Sequence, residues 1–260
     1  MGESTNQAPE SPGGAVAVRV SISTPDGEIR GTVHIDPGPM SLGDLVPLAL
    51  ELTDITVALA SRREQKAGRA ISCRAKCGAC CRQMVALSAP ECFYLMDRIE
   101  TWAEASRHEV LSRFQTAEKR LVAARLVELF LSDNYDDERA LEVAPHYFAL
   151  GIPCPFLVDE SCGIHPHRPT ACREHNVTSP AAWCVDPINN PIMKVPMPQP
   201  ISAALARLVA ELANDAPRLI PLTLAPRWVE RHGALRRQTW PGMELFTRFL
   251  AQVSALPTSR

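Results

Sequence analysis

Eight of the nine cysteines in this 260-residue chain fall into two groups. The first reads Cys73-Arg-Ala-Lys-Cys77-Gly-Ala-Cys80-Cys81. Cys77 and Cys80 have knuckle spacing: two intervening residues let both sulfurs face one ion, while loop N–H groups bond to the sulfurs. Gly78 permits the tight backbone this requires. Cys73 could supply a third thiolate. Cys81 follows Cys80 directly, and consecutive side chains in a loop generally diverge. The two are therefore expected to serve different positions, on one metal or on two.

The second group comprises Cys154, Cys162, Cys172 and Cys184, and 72 residues separate Cys81 from Cys154. Neither group alone completes two four-ligand sites. Together, the eight thiols could fill two tetrahedral zinc sites or hold one or two iron–sulfur clusters. All-thiolate ligation suits zinc and iron–sulfur alike, so the sequence separates neither the metals nor the ligand sets. A structural thiolate site contributes ~10–16 kcal/mol of apparent binding free energy, against a whole-domain stability of ~5–15 kcal/mol. One filled site could decide whether the surrounding chain is ordered.

The neighbours of the cysteines carry a second layer of chemistry. His165, His167 and His175 could each replace a thiolate. With eight cysteines at hand, second-shell bonding or a plain surface role is the expectation, and His165 is the candidate among them. Arg168 and Arg173 flank Cys172 and could hydrogen-bond to sulfur or brace loop carbonyls. Arg62, Arg63, Lys66, Arg69, Arg74, Lys76 and Arg82 surround the first group, with only Glu64 opposing them. Such cations would offset thiolate charge and lower thiol pKa values. An ordinary solvated helix end with basic residues reads equally well. Cys92 lies inside an amphipathic stretch and reads as a small buried hydrophobe.

Several function classes are disfavoured. The balance of 27 basic and 29 acidic residues, for a net charge of −2, calls for neither nucleic acid nor an anionic membrane. Aromatics at 5% are too scarce for a base-stacking surface. No apolar run reaches the ~18–20 residues needed to span a bilayer, and the polar first fourteen residues are no secretory signal. An odd cysteine count argues for free thiols in a reducing, cytoplasmic setting. A protein partner is left open. No nucleophile–base arrangement emerges, and the pair Asp159-Glu160 reads as a turn.

The elements that must position these groups are mainly helical. Residues 1–14 read as a disordered tail, residues 15–40 as an accessory β-hairpin, and residues 41–260 as a helical metal-binding domain. In the hairpin Val16, Val18, Val20 and Ile22 alternate with polar residues, Pro25-Asp26-Gly27 turns the chain, and Ile29, Val33 and Ile35 continue the pattern. Periodicity predicts helices over residues 42–67, 104–131, 202–212, 226–236 and 243–253, and a shorter one over 137–143. Ser88-Ala89-Pro90-Glu91 is a capping box that opens another, through about residue 101. From 151 to 200 the pattern is lost to proline, cysteine and histidine. A structureless run of that length is uncommon in a compact domain, and a metal centre would organise it. The expected fold is mainly α with a small N-terminal hairpin and an irregular cysteine-rich middle.

The string Cys73-x3-Cys77-x2-Cys80-Cys81 resembles the signature of the zinc- or iron-chelating cysteine-cluster family, the YkgJ-like or CxxCxxCC domain. The second block is similar in its turn: Cys154-Pro155-Phe156-Leu157, then Cys162-x-Ile164-His165-x-x-Arg168-Pro169-x-x-Cys172-Arg173. The two cover about residues 70–185. The resemblance implies metal chelation by eight cysteines and no settled reaction. Two other readings stand beside it. One is an iron–sulfur enzyme, of radical type or a protein-modifying oxidoreductase or methylase, because Cys73-x3-Cys77-x2-Cys80 also resembles radical S-adenosylmethionine spacing. The flanking helices and the extra cysteines fit that poorly. The other is a zinc module that binds nucleic acid, which the charge balance disfavours.

Overall fold

A computed structural model describes residues 14–24, 26–132 and 137–255. The expected tail, except for Gly14, and Pro25 of the expected turn lie outside the described residues. The protein is mainly helical with a small β part.

Strands β1 (Val16–Thr24) and β2 (Gly27–Ile35) form the predicted antiparallel hairpin, Val16 opposite Ile35 and Ile22 opposite Ile29. Its buried side chains, Val20, Ile22, Ile29 and Ile35, join the main core of the molecule. Gly27 approaches Leu59 of the following helix. Next come β3 (Pro39–Ser41) and a single 3₁₀ turn at Gly43–Leu45. In that turn Asp44 accepts from the backbone and hydroxyl of Ser41. Helix α1 (Val46–Lys66) follows, with Pro47 in its first turn, where a missing N–H costs nothing. The predicted start at residue 42 is thus delayed by one 3₁₀ turn. Gly68, at φ 73°, leaves the helix in the left-handed region that favours glycine.

Strand β4 (Ala86–Leu87) leads into α2 (Ala89–Glu100) through the predicted capping box. Helix α3 (Glu104–Ala123) is shorter than its periodicity predicts. Arg125 turns to φ 59°, and the pattern resumes as the single turn α4 (Val127–Phe130). The apolar spacing continues across the break because α3 and α4 cover one satellite core, with Leu121, Phe130, Tyr147 and Ile152 at its centre. Helix α5 (Asp137–Ala149) runs two turns past its predicted end, through Pro145.

The middle is built from short pieces: β5 (Leu157–Val158), β6 (Ser161–Cys162), α6 (Thr170–Glu174), and 3₁₀ turns at His165–His167 and Ala181–Val185. Helix α7 (Ile201–Ala213) then restores regular structure. Strand β7 (Ile220–Pro221) pairs with β4, and α8 (Ala225–Arg231) and α9 (Gly233–Arg237) follow. Strand β8 (Thr239–Pro241) pairs with β3 and leads into α10 (Gly242–Ala255). These two-strand pairings bind the start of the chain to its end. Gly242 is required there, since a Cβ would lie 2.0 Å from the Asp36 carbonyl oxygen. The core is formed by the hairpin, α1, α2, α7, α8 and α10, and Phe156 and Ile164 carry it into the cysteine region.

Candidate metal centre

The first cysteine loop hangs between α1 and β4. Its entrance is fastened to the second block: Ser72 N donates to the Val177 carbonyl at 2.9 Å, and Ser72 Oγ reaches the Val177 and Ser179 carbonyls. Lys76 sits at φ 59°, a left-handed conformation that costs a side-chain-bearing residue on the order of 1–3 kcal/mol. The chain then winds into a 3₁₀ turn at Ala79–Arg82 that carries Cys80 and Cys81. Gly78 has φ −90°, open to any residue, so it is not there for backbone freedom as its spacing implies. It is there for room. A Cβ would meet Glu160 Oε2 at 2.6 Å and Leu157 Cδ1 at 2.7 Å.

Those two neighbours belong to the tight β5–β6 hairpin. Asp159 and Glu160 form its two-residue loop, both at positive φ (48° and 58°), as the primed hairpin turns demand. Arg82 holds Glu160 through two bonds, at 2.5 and 3.0 Å, closing the first loop onto the hairpin. Cys154 N donates to the Cys81 carbonyl at 2.7 Å, and Gln83 Nε2 donates to the Cys184 carbonyl at 2.7 Å. The 72-residue gap in sequence is thus closed by one backbone bond, and a side-chain bond from Gln83 ties in Cys184.

Helix α6 carries Cys172 and is placed by α2. One oxygen of Glu91 accepts from Ser88 N and Oγ, completing the capping box; the other accepts from Thr170 N and Oγ1, both at 2.7 Å. One buried carboxylate therefore caps two helices. Arg173 is buried and braces the loop before it. Nε donates to the Arg168 carbonyl, Nη2 to the Pro166 carbonyl, and Nη1 to both oxygens of Asp54 on α1. Of the two roles open to Arg173 in the sequence, the bonds are those of loop bracing.

Seven of the eight clustered cysteines, 73, 77, 80, 81, 154, 162 and 172, line one cavity of about 580 Å³. Its apolar wall includes Ile71, Phe156, Ile164 and Leu222, and Arg74, Lys76, Glu160, His165 and Arg168 are among the other residues that line it. The eighth, Cys184, is buried beside Cys77 and Cys80, against Ala79 and Val177. Cys92 is fully buried in the main core, as its helical position predicts. His167 faces away and bonds to Tyr94 Oη at 2.8 Å, while His175 Nε2 lies 3.8 Å from Cys184 Sγ.

The thiols act on one another in a pattern. Burial pushes Cys184 up to about 11, and Cys80, Cys73 and Cys77 add to the rise. Burial likewise raises Cys73, reinforced by Cys80 and Cys77. Burial pushes Cys154 up to about 12, reinforced by Cys162 and Cys80, and lifts Cys172 with help from Cys154, Cys80 and Cys162. Cys81 responds to Cys80, Cys154 and Cys172. The expected divergence of Cys80 and Cys81 does not occur: the Cys81 thiol hydrogen-bonds to Cys80, drawing Cys80 down to about 7 and raising Cys81. In a 3₁₀ turn successive side chains are about 120° apart, less than the alternation to opposite sides of an extended strand.

The cations divide as well. Arg63 and Arg69 are taken up by Glu64, and Arg82 by Glu160. Only Arg74 and Lys76 of the seven basic residues near the first group line the cavity. Arg168, from the second block, acts on Cys73, Cys80 and Cys162 and lowers all three. His165 is held low, first by burial and then by Arg168.

Among the described residues, no three His, Cys, Asp or Glu side chains stand close enough together to hold a metal ion. The thiols encircle the cavity rather than meet at a point. The donor set still fits zinc or iron. It is thiolate-rich, and the backbone N–H groups of Val177, Phe156 and Ile164 bond to the sulfurs of Cys73, Cys154 and Cys162, as ligating sulfurs require. What sequence reasoning missed are Glu160, Phe156 and Leu222 as cavity walls, since none carries a spacing signal. The capping box marked Glu91 but not its second partner, Thr170.

No curated protein and no solved structure matches the chain. Residues 72–190, slightly under half of it, match the sequence model of the CxxCxxCC family, described as "Putative zinc- or iron-chelating domain". The span opens at Ser72, whose bonds fasten the first loop, and passes the last clustered cysteine. Residues 72–190 are thus similar to the zinc- or iron-chelating CxxCxxCC domain.

Proposed function

We propose that the protein holds metal through all eight clustered cysteines, in two sets of four that interleave along the chain. Cys73, Cys77, Cys80 and Cys184 make one set; Cys81, Cys154, Cys162 and Cys172 make the other. The observation that carries this reading is the gathering of seven of these cysteines around one cavity, with the eighth packed behind Cys77 and Cys80. The mutual influence of the thiols agrees with the division in part: Cys184 and Cys73 respond to first-set members, while Cys172 and Cys154 respond to second-set members and also to Cys80. Cys80 adjoins both sets, so the two centres would lie next to each other. The two sets would hold the metal as thiolates. All nine cysteines are free thiols, which supports work in a reducing compartment such as the cytoplasm. No helix among the described residues is long and apolar enough to cross a membrane.

The test is anaerobic purification followed by metal and acid-labile sulfide analysis. Iron with sulfide and a brown colour identifies an iron–sulfur centre, of which a four-iron cluster on one set is the expected form. Colourless protein with stoichiometric zinc identifies structural zinc. Protein that carries neither metal refutes the proposal. The division into sets is tested by Cys184→Ser and Cys162→Ser, each of which should remove one centre's metal and leave the other's.

A further inference from the structure

We infer that Glu91 is a positioning residue for the metal: its carboxylate holds the first turn of α6 and so fixes where Cys172 stands in the set it shares with Cys81, Cys154 and Cys162. The inference rests on the proposed metal centre and its division into sets.

Helix α6 has five residues, Thr170–Glu174, too few to hold a helix in water unaided. It also lacks a cap of its own, because the residue before it is Pro169, whose side chain has no oxygen to accept the first N–H groups. Glu91, on another helix, supplies the acceptor. Its Oε1 accepts from Thr170 N and Oγ1, both at 2.7 Å, and its Oε2 accepts from Ser88 N at 3.0 Å and Ser88 Oγ at 2.8 Å. Ser88, Glu91 and Thr170 are all buried, so the four bonds are shielded from water. A carboxylate suits this place and an amide does not. Each oxygen faces a backbone N–H, which donates and never accepts, so an amide would set its NH₂ against one of the two. The other ties of α6 are wetter: Asp54, which holds Arg173, is exposed, and Glu174, which accepts from Ser202 on α7, is half-buried. The bracket is fixed at its far end as well, since Cys92, Phe93 and Ile99 of α2 lie in the main core. Cys172 follows Thr170 by two residues, lines the cavity, and stands near enough to Glu91 for the carboxylate to act on its thiol. A shift at the start of α6 therefore moves the sulfur.

The test is metal analysis and the rate of metal release to a chelator, on full-length protein purified anaerobically, in three backgrounds: the natural chain, Cys184→Ser and Cys162→Ser. In the natural chain Glu91→Gln should weaken one centre by roughly 10–100-fold, the usual cost of losing a group that orients a metal ligand. It should empty Cys184→Ser, which keeps only the set of Cys172, and leave the metal of Cys162→Ser in place. Thr170→Val keeps the backbone bond and the capping box; it should act in the same direction and less, and Thr170→Ser should restore natural release. Phe93→Leu loosens the core around α2 without touching the bracket, so it controls for lost stability and should favour neither centre. Release unchanged by Glu91→Gln, equal loss from both centres, or the same selective loss in Phe93→Leu would overturn the inference. Should Glu91→Gln fail to fold, Thr170→Val and its reversal by serine decide alone. The metal content of the natural chain and of the two cysteine variants reports separately on the metal centre and its sets.

Discussion

Gly78→Ala tests how the two cysteine blocks are held against each other. The new methyl group would lie 2.6 Å from Glu160 Oε2, 2.7 Å from Leu157 Cδ1 and 3.3 Å from Glu160 Cα. The first two are side-chain ends and can move, but the third is backbone, and moving Glu160 disturbs its two bonds to Arg82. Overpacking of this kind costs ~1–3 kcal/mol. Because φ at this position is −90°, alanine fits the backbone and returns ~0.4–1 kcal/mol through the unfolded chain. The net expectation is a loss of about 1–2 kcal/mol. For a chain of this size that is a fall in Tm of roughly 2–8 °C. The assay is thermal unfolding in two backgrounds, the natural chain and Glu160→Ala. Removing the carboxylate relieves the closest contact, so the alanine should cost less there, by about 0.5–1 kcal/mol. An unchanged or raised Tm in the natural background, or an identical cost in both, would refute the close-approach argument. Glycine would then have to be explained by something other than room.

Other expectations follow from single contacts. Arg173→Lys removes the fork that reaches the Pro166 and Arg168 carbonyls together, at a cost of about 2–4 kcal/mol in urea unfolding; little is assigned to Asp54, which is 58% exposed. The Arg69 guanidinium, with Arg63, holds the buried Glu64 carboxyl below its usual 4.5. Its contribution is present above about pH 4.5 and is lost as pH falls through the lower folded value, so Glu64→Gln should flatten the acid limb of a stability–pH curve. Cys80→Ser and Cys172→Ser should each lose metal and loosen residues 151–200 to hydrogen exchange. Cys92→Ala should keep its metal and lose about 1 kcal/mol, and equal metal content in the three would reject the assignment.

Most of the regular structure was legible because its signals are local. The hairpin announces itself by alternation, α2 by its capping box, and the end of α1 by Gly68. Errors arose where tertiary context overrode a local pattern. The apolar period that predicts one helix from 104 to 131 is genuine. It is shared by α3 and α4 around one satellite core, with a left-handed residue between them that periodicity cannot register. The pairings of β3 with β8 and β4 with β7 join residues far apart in sequence through strands of two or three residues, too short to show alternation.

The sequence marks the cysteines as candidate donors and leaves their grouping open, and the reason is topological. Sequence proximity invites Cys73, Cys77, Cys80 and Cys81 to be grouped together. The fold bonds the Cys81 carbonyl to Cys154 N while its thiol stays in contact with Cys80, and it packs Cys184 beside Cys77 and Cys80. In the proposed division each set therefore draws on both blocks, and neither block closes a site alone. Metal would then act as a cross-link between segments 72 residues apart. Its removal should release the whole of residues 151–200 rather than one loop. Local fraying confined to residues 69–82 after chelation would point instead to sites complete within a block.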